Sequence, residues 1–254
     1  LHPVAHSFPT RRSSDLFTEV YIRNGEHISM KWALKEPLQV KKLRIKGYIK
    51  SGDLAQIGRL KNMTHLYLSS LRIKCLPNGI GQLTKLNTLA LDGNQLFALP
   101  AEIGGLVSLE KLDVEGNLLT SLPPTIGKLQ NLKELYLNNN LLKALPPQIG
   151  QLTKLEKLFA NANQLHKLPD EIGNLTSLKE LSLVDNKIKT LPVSISKLQN
   201  LRSIDLLKNS ISTLPYSSLA KLPNLNRLNL LDNPLPDSEA EIKRKLPQVN
   251  DVDK

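Results

Sequence analysis

The stretch Leu86-Asn87-Thr88-Leu89-Ala90-Leu91-Asp92-Gly93-Asn94-Gln95-Leu96-Phe97-Ala98-Leu99-Pro100-Ala101-Glu102-Ile103-Gly104-Gly105-Leu106-Val107-Ser108 is one copy of a unit that recurs every 23 residues. The asparagine at Asn94 returns at Asn117, Asn140, Asn163, Asn186 and Asn209, and after one inserted residue at Asn233. Stepping back from Asn94, the same position holds Leu71 and then Tyr48. A fixed period of this length marks stacked units, none of which can bury its apolar face without a neighbour. Inside the unit, Leu89 and Leu91 alternate with Thr88, Ala90 and Asp92, a period of two that predicts a short strand with one face inward. Asn94 stands where the chain leaves that strand. A buried amide there can satisfy backbone groups of its own turn and of the neighbouring one. Leu96, Leu99, Ile103 and Leu106 fill the interior layer by layer, while Pro100 and Gly104 punctuate a return of short helical or 3₁₀ turns.

Stacking these units in parallel gives an α/β solenoid, a horseshoe with a parallel concave sheet and short helical or 3₁₀ convex segments. The literal motifs are Leu99-Pro100-Ala101-Glu102-Ile103-Gly104-Gly105-Leu106 and Leu145-Pro146-Pro147-Gln148-Ile149-Gly150-Gln151-Leu152. On these residues, and over roughly residues 40–247, the chain resembles the leucine-rich repeat superfamily. Within it, the chain is similar to the subgroup with Leu-Pro-x-x-Ile-Gly-x-Leu repeats, which includes Ras-binding scaffold and Ras-suppressor proteins, plant Ras-group-related repeats and many bacterial proteins. The resemblance implies a binding scaffold, with signalling or small-GTPase-related roles among eukaryotic relatives. It does not select a partner, because one scaffold serves unrelated ligands. The leucines and the asparagines Asn94, Asn117, Asn140, Asn163, Asn186, Asn209 and Asn233 are expected to be structural.

The ends depart from the consensus, as the open ends of a solenoid must. Residues 40–236 hold about nine units, the first degenerate, with Tyr48, Lys50 and Asp53 where Asn, Leu and Leu are expected. Residues 17–39 read as a capping hairpin around Asn24-Gly25, with Trp32 lying on the first repeat. Residues 237–254 read as a capping helix and tail, with Ser238 as N-cap and Ile242 and Leu246 packing on the last layer. The run from His6 to Leu16 matches a translated sequencing adapter. Residues 1–16 are therefore set aside from fold reasoning as an artefact, with the expectation that the natural N-terminus is missing.

Composition narrows the function. With 40% apolar and 4% aromatic residues, the interior is built from leucine. No apolar run is long enough to span a membrane as a helix. Cys75 alone offers neither a disulfide framework nor a metal cluster, and slightly favours a reducing, cytoplasmic compartment over a secreted or surface one. The formal charge is +11, and Lys31, Lys35, Lys41, Lys42, Arg44, Lys46 and Lys50 stand against Glu36 alone near the front. Alternation puts Lys42, Arg44 and Lys46 on the concave face. A solvated cap that stops end-to-end stacking is the preferred reading over an acidic partner. Nucleic acid is not expected as a partner. No cofactor, metal or catalytic grouping is expected: His65 falls on the concave side and His166 on the convex return. Ile-Gly pairs such as Ile126-Gly127 read as turn glycines rather than a phosphate cradle.

Function is then expected on the concave face, whose side chains are rigidly held and free of core duty. The middle column runs Arg44, Tyr67, Ala90, Asp113, Tyr136, Phe159, Ser182, Asp205 and Asn229. Two features stand out. Tyr136, Phe159, Val184, Leu207 and Leu231 trace an apolar diagonal, and with Tyr67 they are candidate partner-binding residues. Asp92, Asp113 and Glu115 form an acidic spot. The favoured reading is a monomeric, non-enzymatic scaffold that binds a protein partner. The alternatives are a bacterial surface or secreted recognition protein, and the sensor region of a larger enzyme.

Overall fold

The computed structural model describes residues 19–23, 34, 37–38 and 40–254. Residues 1–18 and Trp32 lie outside the described residues, and with them the expected artefact and the tryptophan contact. The chain builds one parallel sheet of eleven strands in sequence order. They are β1 (Glu19–Arg23), β2 (Lys42–Lys46), β3 (His65–Tyr67), β4 (Thr88–Ala90), β5 (Lys111–Asp113) and β6 (Glu134–Tyr136). The sheet continues through β7 (Lys157–Phe159), β8 (Glu180–Ser182), β9 (Ser203–Asp205), β10 (Arg227–Asn229) and β11 (Asp251–Asp253).

The register converts the sequence period into columns. Leu43, Leu66, Leu89, Leu112, Leu135, Leu158, Leu181 and Ile204 are successive Cα partners, all buried. Two strands extend this sheet beyond the expected repeats. β1 pairs in parallel with β2, Glu19 opposite Lys42, so the first arm of the expected hairpin is a further rung at the same step. The other arm, after Asn24-Gly25, lies outside the described residues. At the back, the expected tail carries β11, parallel to β10, with Val252 buried opposite Leu228.

Six returns are 3₁₀ segments, from Asn78–Gln82 through Ala101–Gly105, Pro124–Lys128, Pro147–Gln151 and Asp170–Asn174 to Val193–Lys197. Each follows the proline of Leu-Pro, whose fixed φ near −70° leads the chain into the turn. The degenerate first repeat has a short α-helix, Ser51–Ala55, and the repeat with the inserted residue has another, Tyr216–Leu219. Glu239–Lys245 forms the helix expected at the back. Ser238 Oγ accepts from Glu241 N while Glu241 Oε2 accepts from Ser238 N, a capping box, and Ile242 and Leu246 are buried.

The asparagine ladder is buried, 5–9% exposed from Asn94 to Asn209. Asn94 Oδ1 accepts from Leu71 N and Ile73 N, both at 3.0 Å, while Nδ2 donates to Leu68 O and Leu91 O at 2.8 Å. One amide thus ties two repeats. The residue before each ladder position is left-handed: Gly93 and Gly116 supply φ of 66° and 64°, but Asn139, Ala162, Asp185 and Lys208 hold φ of 51–55° with a side chain. In the Ile-Gly pairs, close approach is what demands glycine. A Cβ on Gly104 would lie 2.8 Å from Thr125 O, and one on Gly127 would lie 2.7 Å from Gln148 O, each in the next repeat.

Candidate interaction surface

Strand positions whose side chains point away from the leucine layers form the concave face, held by backbone pairing on both sides. Tyr136 and Phe159 are neighbours across β6 and β7. Their rings meet edge to face, centroids 5.4 Å apart. Lys111 Nζ lies 4.6 Å from the Tyr136 ring centroid, and the Tyr136 hydroxyl donates to Glu134 Oε2 at 3.0 Å. The phenol is thereby clamped. Its pKa is pushed up to about 12, first by burial and then by the Glu134 carboxylate that receives its proton in a hydrogen bond.

Tyr136, Phe159, Val184 and Leu207 are half-buried, and Leu231 at the last turn is 41% exposed. Tyr67 stands apart from this diagonal, three strands before Tyr136, with Ala90 and Asp113 between them. Its ring carries the Arg44 guanidinium 4.1 Å from the centroid. Asn229, read as a concave surface residue, is buried and accepts from Leu231 N at 3.2 Å, so it supports the turn. Ala90 is buried as well.

The acidic residues do come together, and each carboxylate is engaged within the sheet. Asp92 accepts from Ser69 Oγ at 2.5 Å, Asp113 from Glu115 N at 3.2 Å, and Glu115 from the amides of Asn138 and Asn139 at 3.1 and 3.2 Å. Burial, followed by the charges of Asp92 and Glu115, raises the Asp113 pKa against the opposing Glu115 N–H and Lys111. Beside the diagonal runs a checkerboard that the column reading did not recognise. Lys111 pairs with Glu134 and Lys157 with Glu180, both at 3.4 Å; in the preceding column Lys133 pairs with Glu110 at 2.9 Å and Lys179 with Glu156 at 2.5 Å. The signal was present as Lys and Glu alternating at a step of 23. Such exposed pairs add little stability, yet they cancel charge across the middle of the face.

Among the described residues no group of three His, Cys, Asp or Glu is placed to hold a metal ion, and no helix is long and apolar enough to cross a membrane. His65 is half-buried on β3, while His166 and Cys75 are exposed on loops that follow ladder positions.

Two family models match: a leucine-rich repeat region over residues 112–187 and a leucine rich repeat over residues 176–235. Among curated proteins no relative matches the sequence. Among solved structures, an internalin (inlF) from Listeria monocytogenes is similar at 22% identity and TM-score 0.74, over 87% of this chain and 63% of that one. The chain therefore spans less than two thirds of that internalin structure. The leucine-rich repeat part of FLRT2, solved in an octameric complex with Latrophilin 3 and Unc5D, is 23% identical with TM-score 0.72, over 92% and 74% of the two chains. The plant peptide hormone receptor RGFR1, solved in complex with RGF2, is 27% identical with TM-score 0.63, over 81% of this chain and 38% of that one. At these identities the first two likenesses speak for fold alone. Period, asparagine ladder, parallel sheet and family models agree: this chain is a leucine-rich repeat protein.

Proposed function

We propose that this protein is a non-enzymatic interaction scaffold that receives a protein partner on its concave face, centred on Tyr136 and Phe159. The observation that carries this reading is the edge-to-face pair at 5.4 Å, with Lys111 over one ring. Two aromatic side chains whose conformations are already fixed lose little entropy on contact, which is what binding anchors require. Val184, Leu207 and Leu231 continue the apolar diagonal, and the acidic spot at Asp92, Asp113 and Glu115 supplies a polar border. The chain acts as a monomer in this reading. Its Leu-Pro-x-x-Ile-Gly-x-Leu units support a place in the subgroup that holds Ras-binding scaffolds, and a signalling role with it. That FLRT2 and RGFR1 were solved in complexes with other proteins or peptides lends general support.

The test is a quantitative capture from cell extract. Tyr136→Ala with Phe159→Ala should lose the retained partner, each anchor contributing about 2 kcal/mol or more. Convex changes at Lys128 and Lys154 should leave capture intact. Loss with the convex pair and retention with the aromatic pair would move the working surface to the other side.

A further inference from the structure

The flank of the horseshoe just beyond the asparagine ladder has a composition unlike either broad face. After each ladder position the chain runs extended: the second residue, such as Leu96, Leu119, Leu142, Leu165 or Ile188, is fully buried. The first and third therefore point outward. Across seven successive units, the four residues after the ladder position include no aspartate or glutamate, from Arg72–Cys75 to Ser210–Thr213. They do include Arg72, Lys74, Lys143, Lys167, Lys187 and Lys189, all exposed. Among the described residues none of these six is in an ion pair, whereas four lysines of the concave columns are matched to glutamates.

Between the two groups of cations sit three large apolar side chains in consecutive repeats: Phe97 at 60% exposure, Leu118 at 49% and Leu141 at 39%. Leu118 N donates to Leu96 O at 2.8 Å and Leu141 N to Leu119 O at 2.9 Å, so the three segments lie side by side. None belongs to the core.

We propose that this flank is a docking surface for an anionic lipid membrane, with the lysines on the headgroups and Phe97, Leu118 and Leu141 in the interfacial layer. Charge complementarity names the occupant: two cationic groups on either side of exposed apolar side chains, with no carboxylate in the same segments, match a surface that is anionic outside and apolar beneath. A second copy of the chain would bring the same cations against themselves. A docked peptide strand would need free backbone groups, yet here each repeat takes up its neighbour's. Gln95 N donates to Ile73 O, Gln164 N to Leu142 O and Lys187 N to Leu165 O, all at 2.8–2.9 Å. What remains to offer is charge and apolar area, which a bilayer accepts without directional bonding. The concave face stays open in this pose, so the inference does not depend on the aromatic diagonal.

The test is co-sedimentation of the full chain with vesicles of phosphatidylcholine alone, or with roughly one third phosphatidylserine. Binding is expected only to the anionic vesicles, weakening as salt is raised. Reversing Lys143, Lys167 and Lys189 to glutamate should weaken it at least about tenfold, as should Phe97→Ser with Leu118→Ser and Leu141→Ser. All six side chains are exposed, so melting temperatures should match the parent and separate loss of binding from loss of fold. Reversing the exposed convex Lys128, Lys197 and Lys221 changes net charge equally and should leave sedimentation within about twofold. Equal binding to neutral vesicles, an equal loss in the convex variant, or no binding to either vesicle overturns the proposal. Retention on immobilised polyglutamate without vesicle binding would give the flank to an acidic protein and overturn it too.

Discussion

Replacing Asn140 by leucine removes the ladder amide at mid-array, where both neighbouring repeats depend on it. Its Oδ1 accepts from Leu119 N at 3.0 Å, and its Nδ2 donates to Val114 O and Leu137 O at 3.0 Å and to Asn138 O at 3.1 Å. The damage is uneven. Val114 O keeps a donor in Asn117 and Leu137 O keeps one in Asn163. Leu119 N keeps no acceptor among the described residues. One orphaned buried N–H costs about 1–3 kcal/mol, and the weakened carbonyls add to it, so a loss of about 2–3 kcal/mol is expected. Urea denaturation followed by circular dichroism should show a lower midpoint at unchanged slope, because the array unfolds through its interfaces as one unit. Asn233→Leu, at a half-buried site near the end, should cost less. Asn140→Asp sharpens the test. The new carboxylate would face three carbonyl oxygens in a buried site, which raises its pKa above the usual value of about 3.9. A folded-state pKa above the unfolded one means the native state binds more protons. That variant is therefore least impaired below the unfolded carboxylate pKa and loses stability as pH rises through its folded pKa. A leucine variant with the parent's midpoint, or an aspartate variant that tracks the parent at every pH, would refute a buried ladder.

Three further expectations concern two stability variants and the behaviour at alkaline pH. Ala162 holds φ of 51°, a conformation that costs a side chain about 1–2 kcal/mol; Ala162→Gly should raise stability by up to about 1 kcal/mol once glycine's extra unfolded-state freedom is subtracted. Gly104→Ala should instead cost about 1–3 kcal/mol, because its Cβ would meet Thr125 of the next repeat at 2.8–2.9 Å; paired melting curves measure both. The Tyr136 phenol, with its pKa at about 12, should be among the last tyrosines to ionise in a spectrophotometric titration. Its folded pKa lies above the ordinary value of about 10, so its contribution to stability is full below that value and disappears as pH climbs from there towards 12. Glu134→Gln should shift the ionisation downwards, and an unmoved titration would exclude the Glu134 hydrogen bond as a cause.

Much of this architecture could be read from leucine spacing, because each interior position recurs at a fixed step and a solenoid repeats one local problem. The ladder asparagines, the Leu-Pro entries into 3₁₀ turns and the Ser238 N-cap all follow from residue types whose local chemistry has few alternatives. β1 and β11 were less legible. Val20 and Ile22 alternate as a hairpin arm would, and neither end carries the ladder asparagine; only pairing with a neighbour in register makes them rungs. Asn229 shows the same limit on the candidate site, since the column reading could not see that the chain turns over it.

The sequence by itself determined the period, the inward leucines, the asparagine positions and the columns on the concave face, because strand alternation and a constant repeat length leave no freedom in them. Only the tertiary structure decided which column members touch. It set Tyr136 against Phe159 with Lys111 above, matched lysines to glutamates across neighbouring strands, and engaged the acidic spot in hydrogen bonds within the sheet. It also decided that glycine in the Ile-Gly pairs answers to close packing, and that the cations beyond the ladder share one flank. The physical reason is the same throughout. A period fixes which residues are neighbours from one repeat to the next, while side-chain contacts depend on rotamers, ring orientation and proton sharing, which exist only once those neighbours are in place.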